Sequence, residues 1–200
     1  KRQVQPGIEN ILKTLPGVSI NNEMSTQYSV RGGNFDENLV YVNGIEIYRP
    51  FLIRSGQQEG LSFVNSEMTD DIKFSSGGFE AKYGDKMSSV LDIKYKSPDS
   101  NQYRINTSFL GGSFTSENIS KDKNISNILG LRYRDNSLLV NSKETRSNFK
   151  PSFFDLQNHL RLSFNPRLSI STLTNFSLNR YNFKPLNRQT NFGTLDDLSL

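Results

Sequence analysis

Leu168-Ser169-Ile170-Ser171-Thr172-Leu173-Thr174-Asn175-Phe176-Ser177-Leu178-Asn179-Arg180-Tyr181 is the stretch on which the fold turns. Leu168, Ile170, Thr172, Thr174, Phe176 and Leu178 share one parity. Ser169, Ser171, Asn175, Ser177 and Asn179 share the other, and Leu173 breaks the polar row. Side chains of a strand alternate between its faces, so this segment has one apolar face and one polar face. It is also longer than the ~5–6 residues of a typical strand.

The same grammar runs upstream. Leu156, Leu160, Leu162 and Phe164 alternate with Asp155, Gln157, His159, Arg161 and Ser163, Asn158 being the exception. Leu129, Leu131 and Tyr133 alternate with Gly130, Arg132 and Arg134. Tyr103, Ile105, Thr107 and Phe109 alternate with Arg104, Asn106 and Ser108. Lys121–Asn124 and Asn165–Arg167 are short connections, whereas Ser137–Phe154 and Lys184–Thr194 are long. Long dyad-alternating strands with short turns at one end and long loops at the other fit an outer-membrane barrel. Tyr103, Tyr133, Phe164 and Tyr181 then lie near strand ends, where an aromatic girdle belongs. A soluble β-sandwich also alternates, and the pattern alone leaves both open. Strands at 103–110, 114–120, 125–134, 155–164, 167–181 and an onset at 195–200 make at most six. The smallest single-chain barrels have ~8, so these strands are expected to be part of a longer wall, or the barrel reading fails.

The first half reads differently. Ile8, Ile11, Leu12 and Leu15 form a helical apolar stripe, Pro6 suits its first turn and Pro16-Gly17 ends it. Val40–Val42 and Ile45–Tyr48 flank Asn43-Gly44, a hairpin signal because a type I′ turn needs positive φ at both central residues. Asp71–Ser75 and Val90–Tyr95 read as further strands around a Gly-punctuated turn region at 77–84. The expected fold is a small α+β domain over residues 1–98, with a mixed sheet of about four strands. Antiparallel strands follow over residues 99–200, those of an incomplete barrel if the barrel reading holds.

Composition narrows the chemistry. Of 200 residues one is Ala (Ala81), while Ser and Asn total 48, which disfavours a helical bundle because both compete with helical hydrogen bonds. The absence of Cys excludes disulfides, thiolate catalysis and Cys-ligated metals, and a single His (His159) argues against a histidine metal site or a Ser-His-Asp triad. No enzyme activity, cofactor or metal is expected. Residues 1–100 hold 11 Lys+Arg and 13 Asp+Glu, net −2, and residues 101–200 hold 13 and 7, net +6. The basic residues are scattered, so a nucleic-acid partner is not expected. No 18-residue apolar window is present. Lys1–Pro6 is polar and unlike a signal peptide, and Lys1 is read as not a natural start.

Five motifs then come in order: Leu15-Pro16-Gly17-Val18, Tyr28-Ser29-Val30-Arg31-Gly32-Gly33, Leu39–Ile45 around Asn43-Gly44, Ser76-Gly77-Gly78-Phe79 with Tyr83-Gly84, and Ser88–Lys96. Together they resemble the plug domain of TonB-dependent outer-membrane receptors, over about residues 7–97. The wording of residues 31–38 is similar to Bacteroidetes-type members. Asn43 stands where that family commonly has Asp, and Ser88-Ser89 where it has Gly-Gly. The resemblance implies a 22-stranded barrel with a plugged lumen and energy-coupled uptake of a scarce solute across the bacterial outer membrane. It also implies TonB as partner, through a Ton box not visible in these residues, outer-membrane lipid around the barrel, and in some members a surface lipoprotein. A non-transporting outer-membrane scaffold and a soluble β-rich binding protein are the alternatives.

The resemblance also assigns residues. Arg31, Gly32, Gly33, Asn43, Gly44, Gly77, Gly78, Tyr83 and Gly84 carry the plug motifs, with Arg31 expected to touch the barrel. Asn22, Glu23, Tyr48, Arg49, Phe51, Arg54 and Gln57 are expected on solute-facing plug loops. Arg104, Arg132, Arg134, His159 and Arg161 are expected on the lumen face, the arginines matching the acidic plug by charge. Arg31-Gly32-Gly33 lacks the trailing Gly-Lys-Ser/Thr of a phosphate loop and reads as a strand end. The pairs Asp36-Glu37, Asp70-Asp71 and Asp196-Asp197 read as solvated turns, because strand neighbours point to opposite faces.

Overall fold

The computed structural model describes residues 8–12, 14–19, 28–48, 62–84, 88–135, 149–183, 187–190 and 193–196. The helix α1 covers Ile8–Leu12. Ile8 and Leu12, one turn apart, are buried, but Ile11 is 52% exposed, so the inward stripe is narrower than the spacing suggests. The helix ends at Leu12, before the expected stop at Pro16-Gly17, and Gly17, five residues on, takes φ 82, which lets the chain reverse into β1 (Val18–Ser19). β1 pairs antiparallel with β2 (Ser29–Val30), and a 3₁₀ turn at Phe35–Glu37 leads into the main N-terminal sheet.

That sheet contains β3 (Asn38–Val42), β4 (Ile45–Glu46), β5 (Thr69–Ser75) and β6 (Ser89–Tyr95), in the order β4-β3-β6-β5. β3 and β6 run parallel and the other pairs antiparallel, so the mixed four-stranded sheet is as expected. Asn43 (φ 51) and Gly44 (φ 77) form the hairpin with the positive φ pair that a type I′ turn demands. Both strands of the parallel pair are buried almost throughout, as parallel strands are.

The second half is an antiparallel meander: β7 (Gln102–Ser108), β8 (Gly111–Ile119), β9 (Ile125–Asp135), β10 (Phe149–Asn165) and β11 (Leu168–Phe183), each beside its chain neighbour. β10 has 17 residues and β11 has 16. At ~3.3 Å per residue each exceeds ~50 Å, well beyond an ordinary strand. β10 starts at Phe149, so the supposed long loop 137–154 is partly strand. The long loop 184–194 is also corrected. β12 (Asn187–Thr190) and β13 (Gly193–Asp196) pair with each other as a separate hairpin. The sixth-strand onset expected at 195 therefore does not join the five-stranded sheet among the described residues. Local turn-and-pair closure wins over extension because a short hairpin needs no long-range register.

The apolar parity behaves as a surface. Tyr103, Ile105, Ile125, Tyr133, Phe164, Leu168, Ile170, Phe176 and Leu178 are all exposed on the five-stranded sheet, whereas the exposed Phe109, expected in the same row, lies in the turn between β7 and β8. The opposite parity faces the N-terminal unit. A single buried cluster joins α1, the four-stranded sheet and residues 63–68, and it takes in Ile128 from β9. Leu173 packs against the same cluster, which explains why it interrupts the polar row of β11.

Candidate functional site at the junction of the two sheets

The junction is built around Ser62–Met68, the segment entering β5. It is folded on itself by its own polar groups: Val64 N donates to Ser62 Oγ at 3.1 Å, Glu67 N to Asn65 Oδ1 at 3.1 Å, and Thr69 Oγ1 to Asn65 O at 2.9 Å. These local bonds compete with strand pairing and leave three successive carbonyls, of residues 62, 63 and 64, for another partner.

The long sheet supplies it. Arg132 on β9 donates from Nη1 to Val64 O and from Nη2 to Ser62 O, both at 2.9 Å, and reaches Phe63 O at 3.5 Å. Gln157 on β10 donates its amide to the same Phe63 carbonyl. Arg132 and Asp155 face each other in strand register. Asp155 Oδ2 accepts from Arg132 Nε at 2.9 Å and Nη2 at 2.5 Å, while its Oδ1 accepts from Asn175 on β11 at 2.7 Å. Asp155 is fully buried, and a forked guanidinium with an amide satisfies it.

Two further links come from the N-terminal sheet. Tyr95 Oη donates to Gln157 Oε1 at 2.7 Å and accepts from Asn65 N at 3.3 Å, and burial pushes this hydroxyl up to about 12. Asn43 Oδ1 accepts from Tyr95 N at 2.8 Å, so its Nδ2 is the donor toward His159 Nε2 at 3.1 Å. His159 therefore offers a bare Nε2, and Asp at position 43 could not make this donation. Gly130, between Ile128 and Arg132 on the same face, lets the segment approach. A Cβ there would lie 2.5 Å from Asn65 Nδ2 and 2.6 Å from Met68 Sδ.

A second cluster lies beside the first. Glu67 Oε1 accepts from Asn106 of β7 at 3.0 Å, Lys96 Nζ donates to Glu67 O at 2.9 Å and approaches Glu117 of β8 at 3.5 Å, and Arg104 binds Glu117 at 2.5 Å. This corrects the expected charge match for Arg104 and Arg132. Arg104 and Arg132 are neutralised by Glu117 and Asp155 of their own sheet. Across the junction at this point Lys96 on the N-terminal side meets the acid. The physical reason is proximity: cross-strand partners are held in place by register, whereas an acid on the opposing unit must be desolvated on docking.

Residues 1–90 match the family model for the TonB-dependent receptor plug domain. These residues are the plug domain of a TonB-dependent receptor. In fold, the chain is similar to a ferric enterobactin receptor variant of Pseudomonas aeruginosa in complex with enterobactin, with a TM-score of 0.58 and 16% identity. It is also similar to a siderophore receptor of Acinetobacter baumannii, with a TM-score of 0.61 and 16% identity. The matches cover 87% and 88% of this chain but only 31% and 29% of those receptors, so it spans about a third of their length. The five-stranded sheet accordingly corresponds to barrel strands. Comparison with curated proteins by sequence gives no match.

Most residues of the plug motifs shape the plug itself. Arg31 (φ 51) and Gly32 (φ 79) turn the chain after β2, and the exposed Arg31 guanidinium lies beside Gly77, where a Cβ would come within 3.1 Å of Nη1. A Cβ on Gly33 would run into Ser88 Oγ, which donates to Glu37 at 2.6 Å. Gly77 and Gly78 take positive φ after β5, and Gly84 closes that turn region. Tyr83 packs on Tyr41 and donates to Asp92 at 2.7 Å, which raises its hydroxyl above the ordinary range, while Lys82 sits over its ring. Of this set, Asn43 is the member whose described bonds reach a barrel strand. Asn22, Glu23, Arg49, Phe51, Arg54 and Gln57 lie outside the described residues, and Tyr48 is 84% exposed. Arg104, Arg132 and His159 sit on the plug-facing side as described, Arg134 is half-buried on the same parity of β9, and Arg161 is exposed toward the end of β10. Sequence reasoning singled out neither the 62–68 segment nor Asp155, Gln157 and Asn175 as a site. Their polar parity was visible, but nothing in Ser-Phe-Val-Asn-Ser-Glu-Met announces a docking segment.

Proposed function

We propose that the chain is the plug and the leading wall of a receptor that imports a scarce solute across the bacterial outer membrane, driven by TonB. Residues 1–98 are the plug and 99–200 the start of a wall of about 22 strands, the size class whose lumen is plugged. Solute binding outside shifts the population of plug states, and force from TonB then displaces or remodels the plug. No covalent step is required, and the residues assign no particular solute. Asn22, Glu23, Tyr48, Arg49, Phe51, Arg54 and Gln57 are the plug positions proposed to meet it.

The observation that carries this reading is the two-faced sheet. One face offers nine exposed large apolar side chains, including Tyr103 at 67% and Ile105 at 74%. The other holds the plug by hydrogen bonds to backbone carbonyls. A soluble sheet does not leave so large an apolar face in water, whereas lipid requires it. The test is uptake by cells carrying the full-length protein, with and without proton-motive force. Energy-dependent accumulation of a solute is expected, and a protein that accumulates none from a panel of metal chelates, oligosaccharides and peptides supports the scaffold alternative.

A further inference from the structure

We propose that Arg132, Asp155, Gln157 and Asn175 form a standing socket in the wall that captures the backbone carbonyls of residues 62–64 and can release and retake them without stranding a charge. The proposal rests on the transport reading only in supposing that the plug moves.

Three observations carry it. First, the socket is assembled by the wall. Arg132, Asp155 and Asn175 come from the adjacent strands β9, β10 and β11, with Arg132 directly opposite Asp155 and Asn175 opposite Gln157 in register. The register of the sheet, not the plug, brings them together. Second, the groups taken from the plug are neutral main-chain acceptors, whereas the charge of Arg132 is balanced inside the wall by Asp155. When residues 62–64 leave, the carbonyls are hydrated and the guanidinium keeps its carboxylate. Third, docking is imperfect on the plug side: Asn65 Nδ2 is buried against Gly130 with no acceptor, a strain that release relieves. A socket that reads main chain also sets no demand on the side chains of 62–64.

The two charges predict opposite effects, and the sign is the test. The probe is Val64→Cys, a small apolar exchange at a buried position. It is placed in the full-length receptor with any other cysteine replaced. Maleimide labelling is followed in outer-membrane vesicles without TonB, solute or proton-motive force. In Arg132→Gln/Asp155→Asn the pair still bonds within the wall but loses the charged fork, and labelling should accelerate ~tenfold or more. In Asp155→Asn alone the released state leaves Arg132 without its carboxylate, whereas the docked state still offers it carbonyls. Labelling should therefore slow below that of the parent. Heat-modifiable electrophoretic mobility checks that each wall has assembled, and Asp155→Ser, with the same expected sign, replaces Asp155→Asn if that variant does not assemble. Acceleration by Asp155→Asn to the level of the double variant would reduce Asp155 to a prop for Arg132 and overturn the socket. An unchanged rate in the double variant would overturn it as well. The readout involves no uptake. A receptor that labels as described yet imports nothing loses the transport reading and keeps the socket, and the converse result does the reverse.

Discussion

Gly130→Ala adds one methyl group at the tightest point of the plug–wall junction. The new Cβ would lie 2.5 Å from Asn65 Nδ2, 2.6 Å from Met68 Sδ and 3.1 Å from Met68 Cγ. Both facing side chains are fully buried, so neither has solvent to move into. Two effects oppose each other. Replacing glycine in a strand gains ~0.5–1 kcal/mol from lower chain entropy, and overfilling a packed interior costs ~1–3 kcal/mol. The entropy gain acts on folding of the wall and not on docking, so the docked plug is weaker by the crowding cost of about 1–3 kcal/mol, a factor of roughly 5–150 in its equilibrium. Protease nicking of the plug in detergent-solubilised full-length receptor reads that population. Met68→Ala supplies the control. By itself it opens a cavity and costs ~2–5 kcal/mol. In the Gly130→Ala background the methyl fills part of that space, so the double variant should be more stable than the sum of the singles by ~0.5–3 kcal/mol. Unchanged nicking in Gly130→Ala, or strict additivity with Met68→Ala, would refute the claim that this glycine exists to admit the plug.

Two other outcomes follow from the same geometry. Tyr95 is neutral in the folded plug up to about pH 12 because burial opposes its ionisation, against an ordinary value near 10. Its contribution to stability is complete below pH 10 and is lost as pH rises toward 12, since the unfolded chain releases the proton first. Denaturant midpoints should fall across that window and should fall less in Tyr95→Phe, with Tyr83→Phe as a control because Tyr83 is also shifted upward; an identical slope in Tyr95→Phe defeats the assignment. On the far face of the wall, Ile105→Arg and Ile170→Arg should impair assembly into liposomes by up to ~2–4 kcal/mol, depending on depth. Wild-type refolding yields for both would show that this face does not meet lipid.

The legible part of the fold was whatever period or turn chemistry writes locally. The parity of 168–178 gave β11 and its two faces, and Asn43-Gly44 gave the β3–β4 hairpin, because both depend on neighbours a few residues apart. Even the exception at Leu173 carried information, as the place where the plug core reaches the wall. The site was harder to read. Arg132 and His159 were placed on the inner face by parity, but their partners are 68 and 116 residues away in the chain. Gly130 was legible only as a position on the inner parity of its strand, and nothing local announces Met68 opposite it. The expected pairing of plug acids with Arg104 and Arg132 failed for a similar reason. Net charge per half does not say that Asp155 stands across from Arg132, which only strand register decides.

The make-up of the junction argues for a contact meant to part. Among the described residues, the wall side chains packed into the plug's buried cluster are Ile128 and Leu173, the latter only partly buried. Burying one such side chain is worth ~1.5–3 kcal/mol, too little to make plug and wall a single permanent core. The other cross-junction contacts described above are hydrogen bonds and one ion pair, and each net hydrogen bond is worth ~0.5–1.5 kcal/mol because water replaces it on release. Arg132 and Arg104 each have a carboxylate partner on their own sheet. An arrangement that would resist release strongly is a buried ion pair split between plug and wall, and Lys96 and Glu117, at 3.5 Å, are one such pair among the described residues. Glu117 there already has Arg104 at 2.5 Å, and the Lys96 side chain is 27% exposed, so parting leaves neither charge buried alone. A wall built to hold its plug permanently would place the acid on one side and the base on the other. This one pairs Arg104 and Arg132 with acids of its own sheet, and what Arg132 takes from the plug is neutral main chain.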